Sequence, residues 1–95
     1  MSKGYWVAHT EIKDLKAYKE YQSANAKPLK KFGGKFLVRG GNQELREGQA
    51  KGRTVIIEFE DLATATACYE SAEYQAAKSL RDSISEGDLV IVEGI

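Results

Sequence analysis

Two segments with helical periodicity, each lying between segments typical of β-strands, constrain the fold of this chain more than any other feature. The strand-like segments are rich in aromatic and β-branched residues, whereas the helical ones repeat apolar residues every three or four positions. With right-handed crossovers, the order βαββαβ gives a four-stranded antiparallel sheet with both helices on one face. The sequence therefore predicts a single ferredoxin-like α+β domain over residues 1–95, with strands at Tyr5–Ile12, Lys35–Arg39, Arg53–Phe59 and Gly87–Gly94.

Capping and helix-breaking residues mark the first helix. The carboxylate of Asp14 can accept hydrogen bonds from free backbone N–H groups, so we expect the helix to begin at Leu15. Pro28 lacks an N–H and clashes with the preceding turn, so the helix is expected to end or kink near Lys27. A further turn should follow, and Gly33 can end it in the left-handed conformation.

The second helical segment contains a predicted break. Asp61 can cap its start, before the segment LATATACYE. Ser71 is a second capping residue, so we expect the helix to stop there and restart over Ala72–Ile84.

Charge and cysteine content exclude several classes of function. Fourteen basic and fourteen acidic residues cancel, so no net positive field attracts nucleic acid or anionic lipid. The single cysteine, Cys68, rules out an intrachain disulfide and is typical of a small buried residue. No stretch approaches the ~20 apolar residues of a membrane-spanning helix. We therefore expect a cytoplasmic protein without nucleic-acid or membrane partners.

The faces of the second and third strands can be assigned from their alternation, because a one-residue shift exchanges every side chain between faces. One register makes one face fully apolar, and we assign that face to the helices; it holds Phe36, Val38, Val55, Ile57 and Phe59. The opposite face then holds Leu37, Ile56 and the opposed pairs Lys35–Glu58 and Arg39–Thr54.

This opposite face is partly apolar. Leu89 and Ile91 of the last strand are expected to join Leu37 and Ile56 there. An exposed apolar patch usually marks an interface, and packing two identical sheets across a two-fold axis would bury both copies of it. The sequence therefore predicts a homodimer, in which Arg39 can meet an acidic group of the partner subunit.

Four segments together resemble a known family: KGYWVAHTEI, FGGKFLVRGG, RTVIIEFED and EYQAAKSLR. Over nearly its whole length the chain resembles the family catalogued as domain of unknown function thirteen-thirty, of the dimeric α+β barrel superfamily. The resemblance implies a homodimer whose two sheets form a barrel with the helices outside. The superfamily includes cofactor-free monooxygenases, haem-degrading enzymes, isomerases and stress proteins, so the resemblance implies a fold rather than a chemistry.

Arg39 is the first candidate binding residue. Its guanidinium can hold both oxygens of a carboxylate, and the Gly40–Gly41 backbone can offer N–H groups nearby. The simpler interpretation, given its predicted face, is an arginine at the subunit interface or a solvated strand end.

His9 and Glu58 are the candidate catalytic residues, each as a general base. His9 is the only histidine of the chain, and this side chain titrates near neutral pH. Glu58 lies between apolar neighbours, where a buried carboxylate needs a partner or a raised pKa. The simpler interpretations are a hydrogen bond between His9 and a neighbour, and an ion pair of Glu58 with a lysine or arginine.

Four tyrosines of the helices can line a ligand pocket between helices and sheet, where the resemblance places substrates. We expect Tyr18 and Tyr21 to be ordinary core residues. Tyr69 and Tyr74 are candidate ligand-binding residues, with core packing as the alternative. Arg81 can close the pocket or face the solvent.

We expect no metal and no cofactor. One histidine and one cysteine fall short of the four ligands of a structural zinc site, although the resemblance leaves open a haem ligated by His9. The leading prediction is a homodimer that binds a carboxylated or aromatic small molecule. The alternatives are a cofactor-free monooxygenase or isomerase, with Glu58 or His9 as base and Arg39 holding an anion, and a stress or assembly protein without a ligand.

Overall fold

The computed structural model describes residues 2–95 and confirms the predicted ferredoxin-like α+β fold. Its elements are β1 (Gly4–Ile12), α1 (Leu15–Lys31), β2 (Lys35–Arg39), β3 (Arg53–Phe59), α2 (Leu62–Glu70), α3 (Ala72–Arg81) and β4 (Ser85–Glu93). The four strands form one antiparallel sheet in the order β2-β3-β1-β4. Among residues 2–95, no helix is long and apolar enough to cross a membrane.

α1 continues through Pro28 to Lys31, so of the two predicted outcomes, an end or a kink near Lys27, the end does not occur. Pro28 removes one hydrogen bond of the helix, but regular bonding resumes beyond it, since the N–H of Phe32 donates to the Pro28 carbonyl at 3.1 Å. Pro28 and Leu29 are both buried. The packing of this segment against the core therefore outweighs the lost backbone hydrogen bond.

Both ends of α1 form as predicted. The side chain of Asp14 accepts a hydrogen bond from the N–H of Ala17 at 3.1 Å. At the other end Gly33 has a φ of 72°. The N–H of Gly34 donates to the carbonyl of Leu29 at 2.8 Å, and the N–H of Gly33 donates to the carbonyl of Lys30 at 3.1 Å. This is a Schellman motif, in which the left-handed glycine lets two otherwise free carbonyls be satisfied.

The predicted break between α2 and α3 is confirmed, because the Ser71 side chain accepts from the N–H of Tyr74 at 3.2 Å. α3 ends at Arg81, however, and not at Ile84. The Ser85 hydroxyl donates to the Arg81 carbonyl at 2.8 Å and closes a turn there. β4 consequently begins at Ser85, two residues before the predicted start.

β2 contains a β-bulge that the alternation did not predict. Phe36 pairs with Ile57, but Val38 pairs with Ile56, so Leu37 is an extra residue opposite β3. A bulge of this kind shifts all later residues of the strand by one position and thereby exchanges their faces. The predicted regular register is therefore wrong beyond Phe36.

The bulge changes the face of Arg39. Arg39 pairs with Val55 and not with Thr54. Directly opposed residues share a face of the sheet, and Val55 packs against the core beneath the helices. Arg39 therefore lies on the helix-covered face, whereas Val38 lies on the other one, which reverses both predictions.

The faces of β4 are also opposite to those predicted. Ile91 pairs with Trp6, which is buried under the helices, and Leu89 follows on the same face by alternation. Val90 and Val92, which are 57% and 43% exposed, lie on the other face. That face, opposite the helices, is called the outer face below. Apolar side chains from all four strands occupy it: Val7, Val38, Ile56, Val90 and Val92.

Trp6 of β1 lies at the centre of the core. Its ring centroid is 4.8 Å from that of Tyr74 and 5.2 Å from that of Phe59. Its indole N–H donates to the carbonyl of Ala65 at 2.8 Å. A buried indole that packs on aromatic rings and also satisfies its N–H joins the sheet firmly to the helices.

We expect Gly33→Ala to lower the free energy of unfolding by about 1 kcal/mol, because an L-residue resists the left-handed conformation. A methyl group at Gly33 would meet no atom within 4 Å, so the loss would be conformational. Gly41→Ala is the matched control, since that site is equally open and has no positive φ. Urea unfolding of both variants measures the difference, and equal midpoints would contradict the assignment.

Candidate functional site

A cleft opens between α1, α3 and the helix-covered face of the sheet. Its cavity volume is about 70 Å³, and the empty space within it, open solvent included, is about 690 Å³. Four aromatic side chains line it, and three arginines reach it from β2, β3 and α3. The remaining lining is apolar or polar and includes one acidic residue, Asp88, which pairs with Lys51. The residues that define this cleft are Trp6, Tyr18, Tyr21, Phe36, Arg39, Arg53 and Arg81.

Arg39 lines the cleft because of the bulge in β2. Its guanidinium lies 4.4 Å from the ring centroid of Phe36, an arrangement typical of a cation–π contact. Within residues 2–95, no carboxylate lies within salt-bridge distance of Arg39. The interface role predicted for Arg39 rested on the wrong face, whereas its new position favours the alternative, anion binding.

Arg53 is a cleft residue that the sequence interpretation missed. It lies on the helix-covered face, two residues before Val55. Its guanidinium lies against Gly40, where a side chain would collide with it, and 6.0 Å from the ring centroid of Tyr18. Its Nε is buried and has no hydrogen-bond partner in the described chain. The alternation of Phe59, Ile57 and Val55, continued to the next position, would have predicted that Arg53 lies on the helix-covered face.

Arg81 enters the cleft from α3, as predicted for a pocket-closing residue. Its Nη2 donates to the hydroxyl of Tyr74 at 3.4 Å, and its guanidinium lies 5.4 Å from the ring centroid of Tyr21. Asp82 lies 3.7 Å from the Arg81 Nη1. Arg81 is therefore partly neutralised, whereas Arg39 and Arg53 keep their full charge toward the cleft.

The tyrosines that line the cleft are not the two predicted to bind a ligand. Tyr18 and Tyr21 are core residues, 5% and 7% exposed, but they also form the α1 wall of the cleft. Tyr74 is fully buried behind Tyr21, and their hydroxyl oxygens are 2.8 Å apart. Tyr69 packs against the ring of Trp6, with centroids 5.9 Å apart, and does not line the cleft. Its ligand-binding role stays a prediction without support from its position.

Burial keeps Tyr18 in the cleft and Tyr74 behind it neutral. Desolvation raises the pKa of Tyr18 above its ordinary value. Desolvation and the neighbouring Tyr21 likewise raise the pKa of Tyr74. Both hydroxyls are therefore protonated at neutral pH and can donate hydrogen bonds. Asn25, one turn beyond Tyr21, adds a buried amide to the same wall.

His9 and Glu58 lie on the outer face and do not meet the three arginines. His9 Nδ1 is 3.5 Å from the Thr54 hydroxyl. Glu58 accepts a hydrogen bond from the Tyr5 hydroxyl at 3.2 Å and is opposite Lys35, as predicted. The catalytic roles of His9 and Glu58 stay predictions, but within residues 2–95 neither side chain shares a pocket with Arg39, as the enzyme alternative would require.

The cleft combines aromatic side chains with two guanidinium groups, of Arg39 and Arg53, that have no salt-bridge partner among residues 2–95. Planar guanidinium groups bind carboxylates through two parallel hydrogen bonds, and low local dielectric strengthens such contacts. In the described residues, no group of three histidine, cysteine or acidic side chains is placed to hold a metal ion. The arrangement therefore favours recognition of a small aromatic anion.

Cys68 lies outside the cleft and is fully buried, as predicted for a small core residue. Its thiol donates weakly to the Pro28 carbonyl, with Sγ 3.7 Å from the oxygen. Burial raises the pKa of the Cys68 thiol to about 11. A thiol that stays protonated is a poor nucleophile, so Cys68 is a packing residue.

Comparison with known proteins identifies one family. The family model described as a domain of unknown function, DUF1330, matches residues 3–95. No curated protein matches the chain significantly.

Several solved structures have a similar fold at low sequence identity. A protein of unknown function from Rhodopseudomonas palustris is 14% identical with a TM-score of 0.78, over 99% of this chain and 83% of that one. A dimeric protein of unknown function with a ferredoxin-like fold, from Bacteroides fragilis, is 14% identical with a TM-score of 0.63, over 96% and 95%. SnoaB, a cofactor-independent oxygenase from Streptomyces nogalater, is 13% identical with a TM-score of 0.55, over 97% and 92%. At these identities the similarity is one of fold.

We expect the stability of the protein to fall as the pH rises from 9.0 to about 11, the interval between the ordinary and the folded pKa of Cys68. In that interval the unfolded chain loses the thiol proton and the folded chain keeps it, so unfolding is favoured. Urea unfolding across this range should show a steeper loss for the wild type than for Cys68→Ala. Parallel pH profiles would contradict the buried, protonated thiol.

Proposed function

The chain belongs to the DUF1330 family, and we propose that it is a homodimeric protein that binds a small aromatic carboxylate in the cleft. The observation that carries this proposal is the pair Arg39 and Arg53. Both lie on the helix-covered face at the same end of β2 and β3. Neither is within salt-bridge distance of a carboxylate of residues 2–95. A ligand that supplies the missing anion would neutralise both.

The walls of the cleft suit an aromatic body attached to that anion. Tyr18 and Phe36 stand next to the two arginines, and Trp6 lies deeper. Aromatic rings bury large apolar areas against one another and prefer offset or edge-on contacts. A flat aromatic acid can therefore place its carboxylate at the arginines and its ring between the helices and the sheet.

The outer face supports the homodimer. Val90 and Val92 are 57% and 43% exposed there, and Val38 at the other edge of the sheet is 36% exposed. Contiguous apolar surface of this kind is unfavourable in water, and a second copy can cover it symmetrically. The similar Bacteroides fragilis structure is described as dimeric with a ferredoxin-like fold, which supports pairing of two such chains.

A second candidate function is cofactor-independent oxygenation or isomerisation of the same kind of molecule. The similarity to SnoaB, described as a cofactor-independent oxygenase, favours this candidate. Its weakness is the base, because His9 and Glu58 lie on the outer face. We therefore place ligand binding first, with a stress or assembly protein without a ligand as the remaining alternative.

We expect para-nitrobenzoate to bind about tenfold more tightly than para-nitrobenzamide, because charge-assisted hydrogen bonds are stronger than neutral ones. Trp6 is the only tryptophan and lines the cleft, so quenching of its fluorescence by the nitroaromatic ring measures binding. Arg39→Gln and Arg53→Gln should each lower the affinity for the benzoate by about tenfold.

Arg46→Gln is the matched control for these variants. Arg46 pairs with Glu44 at 3.1 Å and its side chain is 80% exposed, away from the cleft. Its substitution should leave the affinity unchanged. Equal affinities for benzoate and benzamide would argue against anion recognition, and the absence of any binding would favour the protein without a ligand.

We expect the protein to sediment as a dimer of 10.5 kDa chains. Val90→Lys should produce the monomer, because it places a charge within the buried apolar contact. Leu80→Lys, at a position on α3 that is 43% exposed, should leave the dimer intact. A wild type that sediments as a monomer at micromolar concentration would contradict the homodimer.

A further inference from the structure

Three polar side chains, two in the cleft and one in the core behind it, are joined by hydrogen bonds. The Arg81 Nη2 donates to the Tyr74 hydroxyl at 3.4 Å. The Tyr74 and Tyr21 hydroxyl oxygens are 2.8 Å apart, in a buried contact where either one can be the donor. Tyr21 then lines the cleft, whereas Tyr74 is fully enclosed. The hydrogen bonds therefore run from Arg81 through Tyr74 to Tyr21.

The available donors determine which hydroxyl donates in the hydrogen bond between Tyr74 and Tyr21. A guanidinium has only donors, and a tyrosine hydroxyl has one donor and can accept as well. In residues 2–95 the hydroxyl of Tyr74 has two polar partners, Arg81 and Tyr21. Since Arg81 cannot accept, the Tyr74 proton has one acceptor available, the oxygen of Tyr21.

The opposite direction would leave a buried donor unsatisfied. If Tyr21 donated to Tyr74, the Tyr74 oxygen would accept twice and its own proton would point at no acceptor. Buried polar groups without a partner are strongly disfavoured. Burial and the proximity of Tyr21 raise the pKa of Tyr74, so this proton is present throughout the neutral range.

We propose that the Tyr21 hydroxyl donates a hydrogen bond to an acceptor oxygen of the ligand. Tyr74 and Arg81 are positioning residues, because their hydrogen bonds leave the Tyr21 O–H free to point into the cleft. The inference rests on the proposed binding of an aromatic carboxylate in the cleft. It adds a second requirement to the ligand class, because Arg39 and Arg53 take the carboxylate and Tyr21 takes a further oxygen. Ketones, phenolates and second carboxylates satisfy this requirement, and hydrocarbon substituents do not.

Two probes separate this requirement from recognition of the carboxylate. Para-acetylbenzoate and para-isopropenylbenzoate share the carboxylate and nearly the same shape, but only the first carries an acceptor oxygen on its substituent. A site built to hydrogen-bond such an oxygen rejects the analogue that lacks it. By titration calorimetry, we expect the wild type to prefer the acetyl compound by about tenfold.

Tyr21→Phe should bind both probes with equal affinity, since its ring remains and its donor is gone. Tyr69→Phe is the matched control, because Tyr69 packs against Trp6 outside the cleft and should keep the full preference. Tyr74→Phe leaves the Tyr21 hydroxyl in place but no longer fixes where its O–H points, so the preference for the acetyl probe should fall to about threefold. A purely structural role of Tyr74 would change the affinity for both probes alike and leave their ratio intact.

The double variant Tyr21→Phe, Tyr74→Phe guards against misfolding. Tyr21→Phe alone removes the acceptor of the Tyr74 proton, whereas removing both hydroxyls leaves no buried group without a partner. The double variant should also bind both probes equally. If the wild type bound both probes with equal affinity, the hydrogen bond from Tyr21 would be refuted, whereas the proposed binding of an aromatic carboxylate would still hold. Binding of neither probe would overturn the proposed function and the inference with it.

Discussion

The single extra residue in β2 determines which side chain of this strand's end lines the cleft. Because Leu37 has no partner on β3, Val38 turns outward and Arg39 turns toward the helices. In a regular register the two would exchange places, with a valine in the cleft and an arginine on the outer face. One bulge thus removes a charge from an apolar surface that a second chain can cover, and adds it to a cleft that already holds Arg53.

This bulge could not be predicted from the sequence. The segment KFLVR has apolar residues at three consecutive positions, so both registers place an apolar side chain on each face. No glycine marks the bulge, and the long loop that follows does not fix the register as a tight turn would. The same ambiguity affected β4, where the run LVIV gives no alternation and only the pairing of Ile91 with Trp6 decides the faces.

Features decided within a few residues of the chain were predicted correctly. The caps at Asp14, Asp61 and Ser71 and the left-handed Gly33 depend on local backbone bonds, which leave a recognisable pattern. Pro28 shows the limit of such local rules, because its burial in the core allowed the helix to continue. Helical spacing predicts that Arg81 and Tyr74 face the inner side of α3, and Arg81 lines the cleft whereas Tyr74 lies buried behind it. The contacts of both residues with Tyr21 join α3 to α1 and leave no local signal in the sequence.

Arg53 lowers the stability of the fold, and this cost is what the proposed anionic ligand would offset. The net charge of the chain is zero, yet Arg39 and Arg53 both line the cleft, and neither has a salt-bridge partner among residues 2–95. A guanidinium whose Nε is buried without a partner costs free energy of folding, and a neutral side chain would fill the same space at a lower cost. Gly40 leaves room for this guanidinium where any side chain would collide with it. The local backbone thus accommodates an unfavourable charge, and an anionic ligand at Arg39 and Arg53 would compensate that charge.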